Sequence, residues 1–424
     1  MPSNKKQITN FGRALWSEAL CLRPEDEKEL ALCPKPNLAR GAGLSYSDCC
    51  FNSEGYVIDT SRLNHLISFD ENSQILSCQG AVTFYDLMQL HPEFIPPVIP
   101  GTLYATLAGG VANDIHGKNN HHEGSIGQHI AWIELLCNGQ ILRCSKDDNS
   151  ELFYATIGGL GLTGIITKIG LKLRKASKFV TVSNKVCNSL SELIHLLATE
   201  GLNYDYQVAW MDLLNQSPTS LVSLANHCDT GIVKKTATHS VPKFPFSLVY
   251  DWNMKLFNRM YASQVKSVET QSLQEFNNPL DSLAHWNRVY GPKGLIQFQA
   301  VFSQEQALAT ITKLQEIMKQ HKASPMLAVL KLFTRPGVGL LSFCQAGFTL
   351  AIDFKYNEAA RKAIRTMNQY ISEQAGKIYL AKDLELNQDQ FQTMYPNYQK
   401  FQEIITENQS GMRSDMATRL GIII

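Results

Sequence analysis

This chain of 424 residues lacks several things, and each lack removes a class of function. Neither sign of charge dominates: 39 Lys and Arg stand against 38 Asp and Glu, a net charge of +1. A nucleic-acid partner needs a basic stripe or a base-stacking module, so none is expected. No apolar run approaches the roughly 20 residues of a membrane span. The start, MPSNKKQITNFGRALWSEA, has lysines but no apolar stretch behind them. No signal peptide is therefore expected, and the chain reads as cytoplasmic, at most peripheral at the inner face of the membrane. The ten cysteines are scattered and form no CxxC pair. That argues against a zinc ribbon or a disulfide framework and suits a reducing compartment. Internal repeats and low-complexity tracts are also missing.

What is present is concentrated in PGTLYATLAGGVANDIHGKNNHHEGSIG, residues 100 to 127. Glycines this dense let backbone amides approach a ligand closely. Ala105, Thr106, Ala108 and Ala112 are small enough to leave room for a flat, bulky ligand. The block DIHGKN then supplies an acid, an imidazole, an ammonium group and an amide. The spacing of His116, His121 and His122 fits no standard zinc pattern, so no metal site is expected.

The chain around this stretch reads as mixed helix and strand. A helix is expected around RPEDEKELALC, residues 23 to 33, with Pro24 near its start. RGAGLSYSD, residues 40 to 48, is a glycine-hydroxyl loop that backbone amides could turn into a phosphate nest. ISFDENSQIL reads as two strands, a helix begins near Thr83, and Asn138-Gly139 marks a hairpin. GLGLTG, residues 159 to 164, matches GxGxxG, but a helix-like segment precedes it and the strand-like IITKIGLKL follows. A dinucleotide fold needs the reverse order, so a Rossmann site is rejected. Beyond residue 178, long strands such as LIQFQAVF, MLAVLKLF and FTLAIDF alternate with a few long helices. They predict an antiparallel sheet with helices on one side, an α+β arrangement. An insert at about 229 to 265 mixes lysines, prolines and aromatics. It fits a mobile lid or contact with a membrane surface, although a solvated loop explains it more simply. The last segment is expected to begin with a strand carrying Tyr379 and Lys382.

RGAGLSYSD, PGT…AGGVANDIHGKN and ELFYATIGGLGLTGII together resemble the FAD-linked oxidases of the vanillyl-alcohol oxidase type, which share a PCMH-type FAD-binding domain. The closer likeness, carried by DIHGKN, GGLGLTGII, QFQ, LKLF, AKD, MYP and SDMATRL, is to the branch acting on a polyprenyl-phosphoryl ribose. The resemblance runs from about Arg40 to Leu420. It implies a two-domain PCMH-type fold: residues 1 to 178 and 377 to 424 for FAD, and 179 to 376 as the substrate domain. Arg40, Gly41, Ala42, Gly43, Ser45 and Tyr46 would line the FAD. Gly101, Thr102, Thr106, Gly109, Gly110, Asn113, Asp114 and His116 would continue that cradle. Gly164 and Ile165 would meet the adenine end, and Tyr379 the flavin. Lys118, Gln297, Gln299, Lys331, Phe333 and Lys382 would face the substrate, with Lys382, His116 and Tyr46 taking part in catalysis.

Two departures qualify the likeness. Many relatives attach FAD through a histidine after RGxG, but this chain has Leu44 there, so noncovalent FAD is implied. Ala351 stands where the polyprenyl-phosphoryl ribose branch has a cysteine, a target of covalent inhibitors and not a catalytic group.

The implied reaction is oxidation of the 2′-hydroxyl of a polyprenyl-phosphoryl-β-D-ribose, in the synthesis of cell-wall arabinan precursors. A separate NAD(P)H-dependent short-chain reductase would complete a 2′-epimerisation. The alternatives are FAD oxidation of a soluble alditol or aldonolactone, and a flavin-binding scaffold without turnover.

Residue chemistry adds its own arguments. Lys331 sits in an apolar strand and must find an anion or a cavity. Gln297 and Gln299 flank Phe298 and so share one face, where they could bind sugar hydroxyls or simply meet water. Lys382 could stabilise charge developing on the flavin, or pair at the surface with Asp383. His116 could take the hydroxyl proton, or be an ordinary core histidine.

Overall fold

The structure, a computed structural model, describes residues 3 to 423 apart from 215 to 218, 232 to 238 and 265. Residues 232 to 238 and 265 of the 229 to 265 insert thus lie outside the described residues.

Three sheets organise the chain. The first pairs Asn4–Thr9 antiparallel with Trp16–Leu22, then runs parallel through Tyr56–Asp59 to Asn37–Arg40. The first two strands were not expected from sequence, because NKKQIT is polar and mostly exposed along its length. The second sheet is antiparallel and holds Leu66–Asp70, Ile75–Gln79, Ile165–Lys172, Ile130–Cys137 and Gln140–Ser145 in that order. Ile165–Lys172 follows the GLGLTG turn directly, as the rejection of a Rossmann site required. Thr83 caps the Phe84–Leu90 helix through a reciprocal bond with Asp86, which fixes its start. The expected first helix is shorter than predicted: it spans Glu27–Ala31, capped by Asp26, and Pro24 lies outside it.

The third sheet has eight strands, all antiparallel to their neighbours. Its central strands are Tyr206–Met211, Pro325–Phe333, Gly347–Lys355 and Leu295–Phe302. Phe298, Ala300, Leu330, Leu350, Ile352 and Phe354 are buried on one face. The amphipathic helices Leu190–Ala198, Ala307–Gln320 and Glu358–Glu373 pack on this sheet or on one another. The opposite face carries the alternate positions, among them Gln297, Val329, Lys331 and Ala351, which are only partly buried. Gln299, Thr349 and Asp353 on that same face are buried, so other segments cover it in part. Lys377–Ile378 pairs at the sheet's edge, so the sheet reaches just past residue 376. The expected strand through Tyr379 and Lys382 is corrected: it ends at Ile378, and Leu380–Lys382 form a 3-10 turn.

The C-terminal segment closes back on the first sheet. Arg419 grips both oxygens of Asp48 at 2.8 Å and reaches Asp383 at 3.0 Å. Burial depresses its pKa, but Asp383 and Asp48 outweigh that and raise it. No helix among the described residues is long and apolar enough to cross a membrane.

A candidate flavin and sugar site

Four segments far apart in sequence are knitted together where the glycine-rich loops meet the second face of the large sheet. The first loop touches the central loop, since a Cβ on Gly41 would lie 2.3 Å from Thr106 Oγ1. The Tyr46 amide donates to Ala381 O at 2.9 Å, which joins the first loop to the 3-10 turn. Tyr379 Oη donates to Asn113 O at 3.0 Å, which joins that turn to the central loop. The Gln299 amide nitrogen lies 3.0 Å from His116 Nε2, which joins the central loop to the sheet floor.

The floor follows from strand register. Gln297 stands opposite Asp353, Gln299 opposite Ala351, and Thr349 opposite Lys331. Cross-strand partners share a face, so these side chains crowd one surface. Gln299 also donates to Thr349 Oγ1 at 3.2 Å, and Gln297 donates to an Asp353 oxygen. The Phe333 ring meets His116 edge-on at 4.8 Å. Phe343 stacks on Tyr379 at 4.7 Å and completes an aromatic collar around the imidazole.

The electrostatics are unusual. Lys118, Lys331 and Lys382 keep some exposed surface, yet all three ammonium groups are desolvated. Burial and then Lys331 pull Lys118 down to about 7, while burial pulls Lys331 to about 8. Lys382 is lowered by burial and by Lys331, against the pull of Asp353. Asp353 is the buried counter-charge: burial raises its pKa, while Gln297 and Lys382 hold it down. Its Oδ2 is buried without a hydrogen-bond partner among the described residues. Lys382 Nζ lies over the Tyr46 ring at 3.6 Å. Burial, Asp353 and Tyr290 push the Tyr46 phenol well above its usual range, so it stays protonated.

Several expected roles change in detail. Lys382 is not a surface lysine paired to its neighbour, because Asp383 serves Arg419 and the amides of Glu385 and Leu386. His116 accepts from Gln299 at Nε2, which assigns its proton to Nδ1. Burial, Lys331 and Lys382 hold it neutral, so it offers a donor where a base was expected. That Nδ1 is buried without a partner among the described residues. The Asp114 carboxylate is spent on Ser125, Gly127 and Ser342, leaving only its backbone for a ligand. The Arg40 guanidinium binds Cys50 O and Thr9 O. It also lies 2.1 Å from where a Cβ on Gly43 would sit, and Gly43 has φ +67°, so glycine is required there. Gly110 faces Phe84 and Ile115, not a ligand space, because its Cβ would meet Phe84 at 3.0 Å. Gly109 is bonded to Thr106 Oγ1, the cap of the Leu107–Ala112 helix. Ser45 O accepts from Phe11, and Thr102 Oγ1 accepts from Tyr104. Ala42 lies exposed on the same loop. Gly164 and Ile165 lie at the head of the strand beside Leu136. His121 and His122 both reach Tyr204 O, whereas His116 meets Gln299. No group of three or more His, Cys, Asp or Glu that could hold a metal ion occurs among the described residues.

Sequence reading missed Asp353. It is a lone acid in the apolar strand FTLAIDF, and the argument that singled out Lys331 applies to it equally.

The residues present fit an FAD. Asn113 Oδ1 and His116 Nδ1, on the central loop, are buried polar atoms without partners among the described residues. A Cβ on Gly101 would meet nothing within 4 Å, so that loop borders open space. Loop amides, open space and an aromatic collar suit a large planar cofactor with a pyrophosphate.

The comparisons agree with this geometry. The FAD binding domain family matches residues 23 to 145. The chain is 29% identical to decaprenylphosphoryl-beta-D-ribose oxidase of Mycolicibacterium smegmatis, over 100% of this chain and 99% of that one. It is 24% identical to cytokinin dehydrogenase 3 of Oryza sativa over 67% of this chain and 58% of that one. It is 29% identical to the mitochondrial D-2-hydroxyglutarate dehydrogenase of Danio rerio over 41% of this chain and 33% of that one. The fold and the site thus define an FAD-dependent oxidoreductase with a PCMH-type FAD-binding domain. Within that class the chain is similar over its whole length to the decaprenylphosphoryl-beta-D-ribose oxidase.

Proposed function

We propose that this enzyme oxidises a secondary hydroxyl of a phosphoryl sugar, in its fullest form the 2′-hydroxyl of a polyprenyl-phosphoryl-β-D-ribose. The observation that carries the reading is the charge of the site: three desolvated lysines, with Lys331 acting on both Lys118 and Lys382, against one buried carboxylate, Asp353, which acts on Lys382. Like charges that close raise one another's cost, and an anionic ligand relieves it. A neutral alditol or lactone would leave that cost in place. The similarity to decaprenylphosphoryl-beta-D-ribose oxidase supports the same substrate class.

FAD, when bound, accepts the hydride, and Leu44 implies that it is held noncovalently. The chain's own residues would divide the remaining work. Asp353 Oδ2 would receive the hydroxyl proton, since it is a buried acceptor without a partner among the described residues. Gln297 would orient that carboxylate, and the His116 Nδ1–H would donate to a ligand oxygen. Lys382, held on the Tyr46 ring, would stabilise developing negative charge. Lys118 and Lys331 would hold the phosphate. The division expected from sequence, with 179 to 376 as the substrate unit and the rest for FAD, is part of this proposal. So are the reductase that completes the epimerisation and a working place against a membrane, where a lipid-linked sugar resides.

The test is anaerobic titration of the yellow holoenzyme with polyprenyl-phosphoryl ribose, beside ribitol and an aldonolactone. Bleaching of the flavin by the phosphoryl sugar supports the reading. Bleaching by the neutral compounds alone would replace it with the soluble-sugar oxidase. No bleaching by any of them would favour a flavin-binding scaffold.

A further inference from the structure

The Asp251–Gln264 helix shows an apolar face left uncovered among the described residues. Trp252 is 70% exposed, Leu256 54% and Phe257 52%, and Phe246 just before the helix is 55% exposed. The helix already has an inward face. Asn258 is buried and donates to Asp212 Oδ1 at 2.9 Å, and Met254 packs with the cluster that contains Val249. Trp252 and Leu256 are four residues apart and so share the outward side. Lys255 and Arg259, both exposed, follow on the adjacent flank at the same spacing. Asp251, the acid at the start of the helix, accepts from Ser324 at 2.8 Å. A helix docked on a soluble body ordinarily turns polar residues outward. A contiguous apolar group flanked by cations marks a contact surface instead.

We propose that this face binds the surface of an anionic lipid bilayer. Trp252, Leu256 and Phe257 would lie at headgroup depth, with Lys255 and Arg259 against lipid phosphates. Aromatic side chains favour that interfacial layer. The position supports this occupant. Val249, two residues before the helix, packs in one cluster with Tyr46 and Tyr290, and Tyr46 is the ring beneath Lys382. A depression of about 340 Å³, lined by residues including Phe246, Tyr290 and Lys355, adjoins the same corner. A lipid-linked molecule held at the helix would therefore lie beside the cleft. Delivery of substrate by this route rests on the proposed lipid-linked sugar, whereas bilayer binding does not.

The experiment is flotation of the holoenzyme with vesicles of phosphatidylcholine alone and of phosphatidylcholine mixed with phosphatidylglycerol. The expected result is binding to the anionic vesicles and much weaker binding to the neutral ones. The triple variant Trp252→Ser, Leu256→Ser, Phe257→Ser and the double variant Lys255→Glu, Arg259→Glu should each lose about tenfold or more in partitioning. Both should keep their flavin spectrum and their bleaching by a short-chain phosphoryl sugar. Where the triple variant does not fold, Trp252→Phe serves: the blue shift of tryptophan emission on adding anionic vesicles should shrink. Failure of the parent protein to float with anionic vesicles overturns the proposal. A dimer in solution that the triple variant abolishes would also overturn it and give the face to a second copy. Floating without oxidation of any phosphoryl sugar would leave the bilayer contact standing and remove the substrate reading.

Discussion

Replacing Lys382 with Met tests the centre of the site. Methionine keeps much of the apolar stem, so packing against Tyr46 changes little and the charge is what disappears. The ammonium lies 3.6 Å from the Tyr46 ring centroid and is desolvated. It is therefore already in position, and no reorganisation is needed when charge develops. One preorganised group of this kind is worth about 3 kcal/mol, or roughly a hundredfold in rate. Before reaction that charge does not yet exist, so FAD occupancy should hold. Stopped-flow reduction of the holoenzyme by substrate measures the loss directly. The pH profile gives a second reading. Lys382 is lowered to about 7, so its ammonium is present below that pH and is lost as the pH rises through it. Asp353 is raised by burial, so its carboxylate forms only above the ordinary carboxylate range. The parent's kcat/KM should thus be bell-shaped around neutrality. In Lys382→Met the alkaline limb from this group should vanish. The acid limb should move upward, because Lys382 is one of the groups holding Asp353 down. A reduction rate within a few-fold of the parent, with an unchanged profile, would remove Lys382 from the mechanism.

Other parts of the reading make their own predictions. Acid precipitation should release the flavin into the supernatant, because Leu44 offers no attachment; colour that stays with the precipitate would refute noncovalent binding. Gly101→Leu should lower flavin occupancy without lowering the melting temperature of the apoprotein, since a Cβ there meets nothing within 4 Å. Gly110→Leu should instead destabilise the fold, because Phe84 is in the way. Arg419→Ala should cost about 3–5 kcal/mol in denaturant unfolding, because it strands two buried acids, Asp48 and Asp383.

Much of the fold was legible because local signals agreed with tertiary context. The Asn138-Gly139 hairpin, the Thr83 cap and the alternating strands of the large sheet each carry enough of their own chemistry. Asn4–Thr9 was not legible, because an exposed edge strand buries little and needs no apolar alternation. KIYLAK misled in the opposite way: it alternates like a strand, but pairing stops after Lys377–Ile378. At the site, motifs could point to loops and lysines but not to which groups were already engaged. The Asp114 carboxylate and the Arg40 guanidinium are both consumed by structural bonds that come from distant segments. Gly110 looked like a cradle residue because sequence cannot show that Phe84 lies against it.

The arrangement of charge on the sheet floor also separates binding from chemistry. Lys331 and Asp353 lie on neighbouring strands of the same face, Lys331 opposite Thr349 and Asp353 opposite Gln297. If the phosphate sits with Lys331 and the reacting hydroxyl with Asp353, their loss should have different kinetic signatures. Lys331→Met removes a contact present before and during reaction. KM for a phosphoryl sugar should then rise by roughly tenfold to a hundredfold, the worth of one charged hydrogen bond, with kcat little changed. Asp353→Asn keeps the shape but cannot take a proton, so kcat should fall by a hundredfold or more, in the range of one positioned base, with KM nearly constant. The same Lys331 variant should leave oxidation of an unphosphorylated analogue unaffected, since no anion is there to lose. Equal damage to both substrates would mean that Lys331 supports the floor and does not read the phosphate.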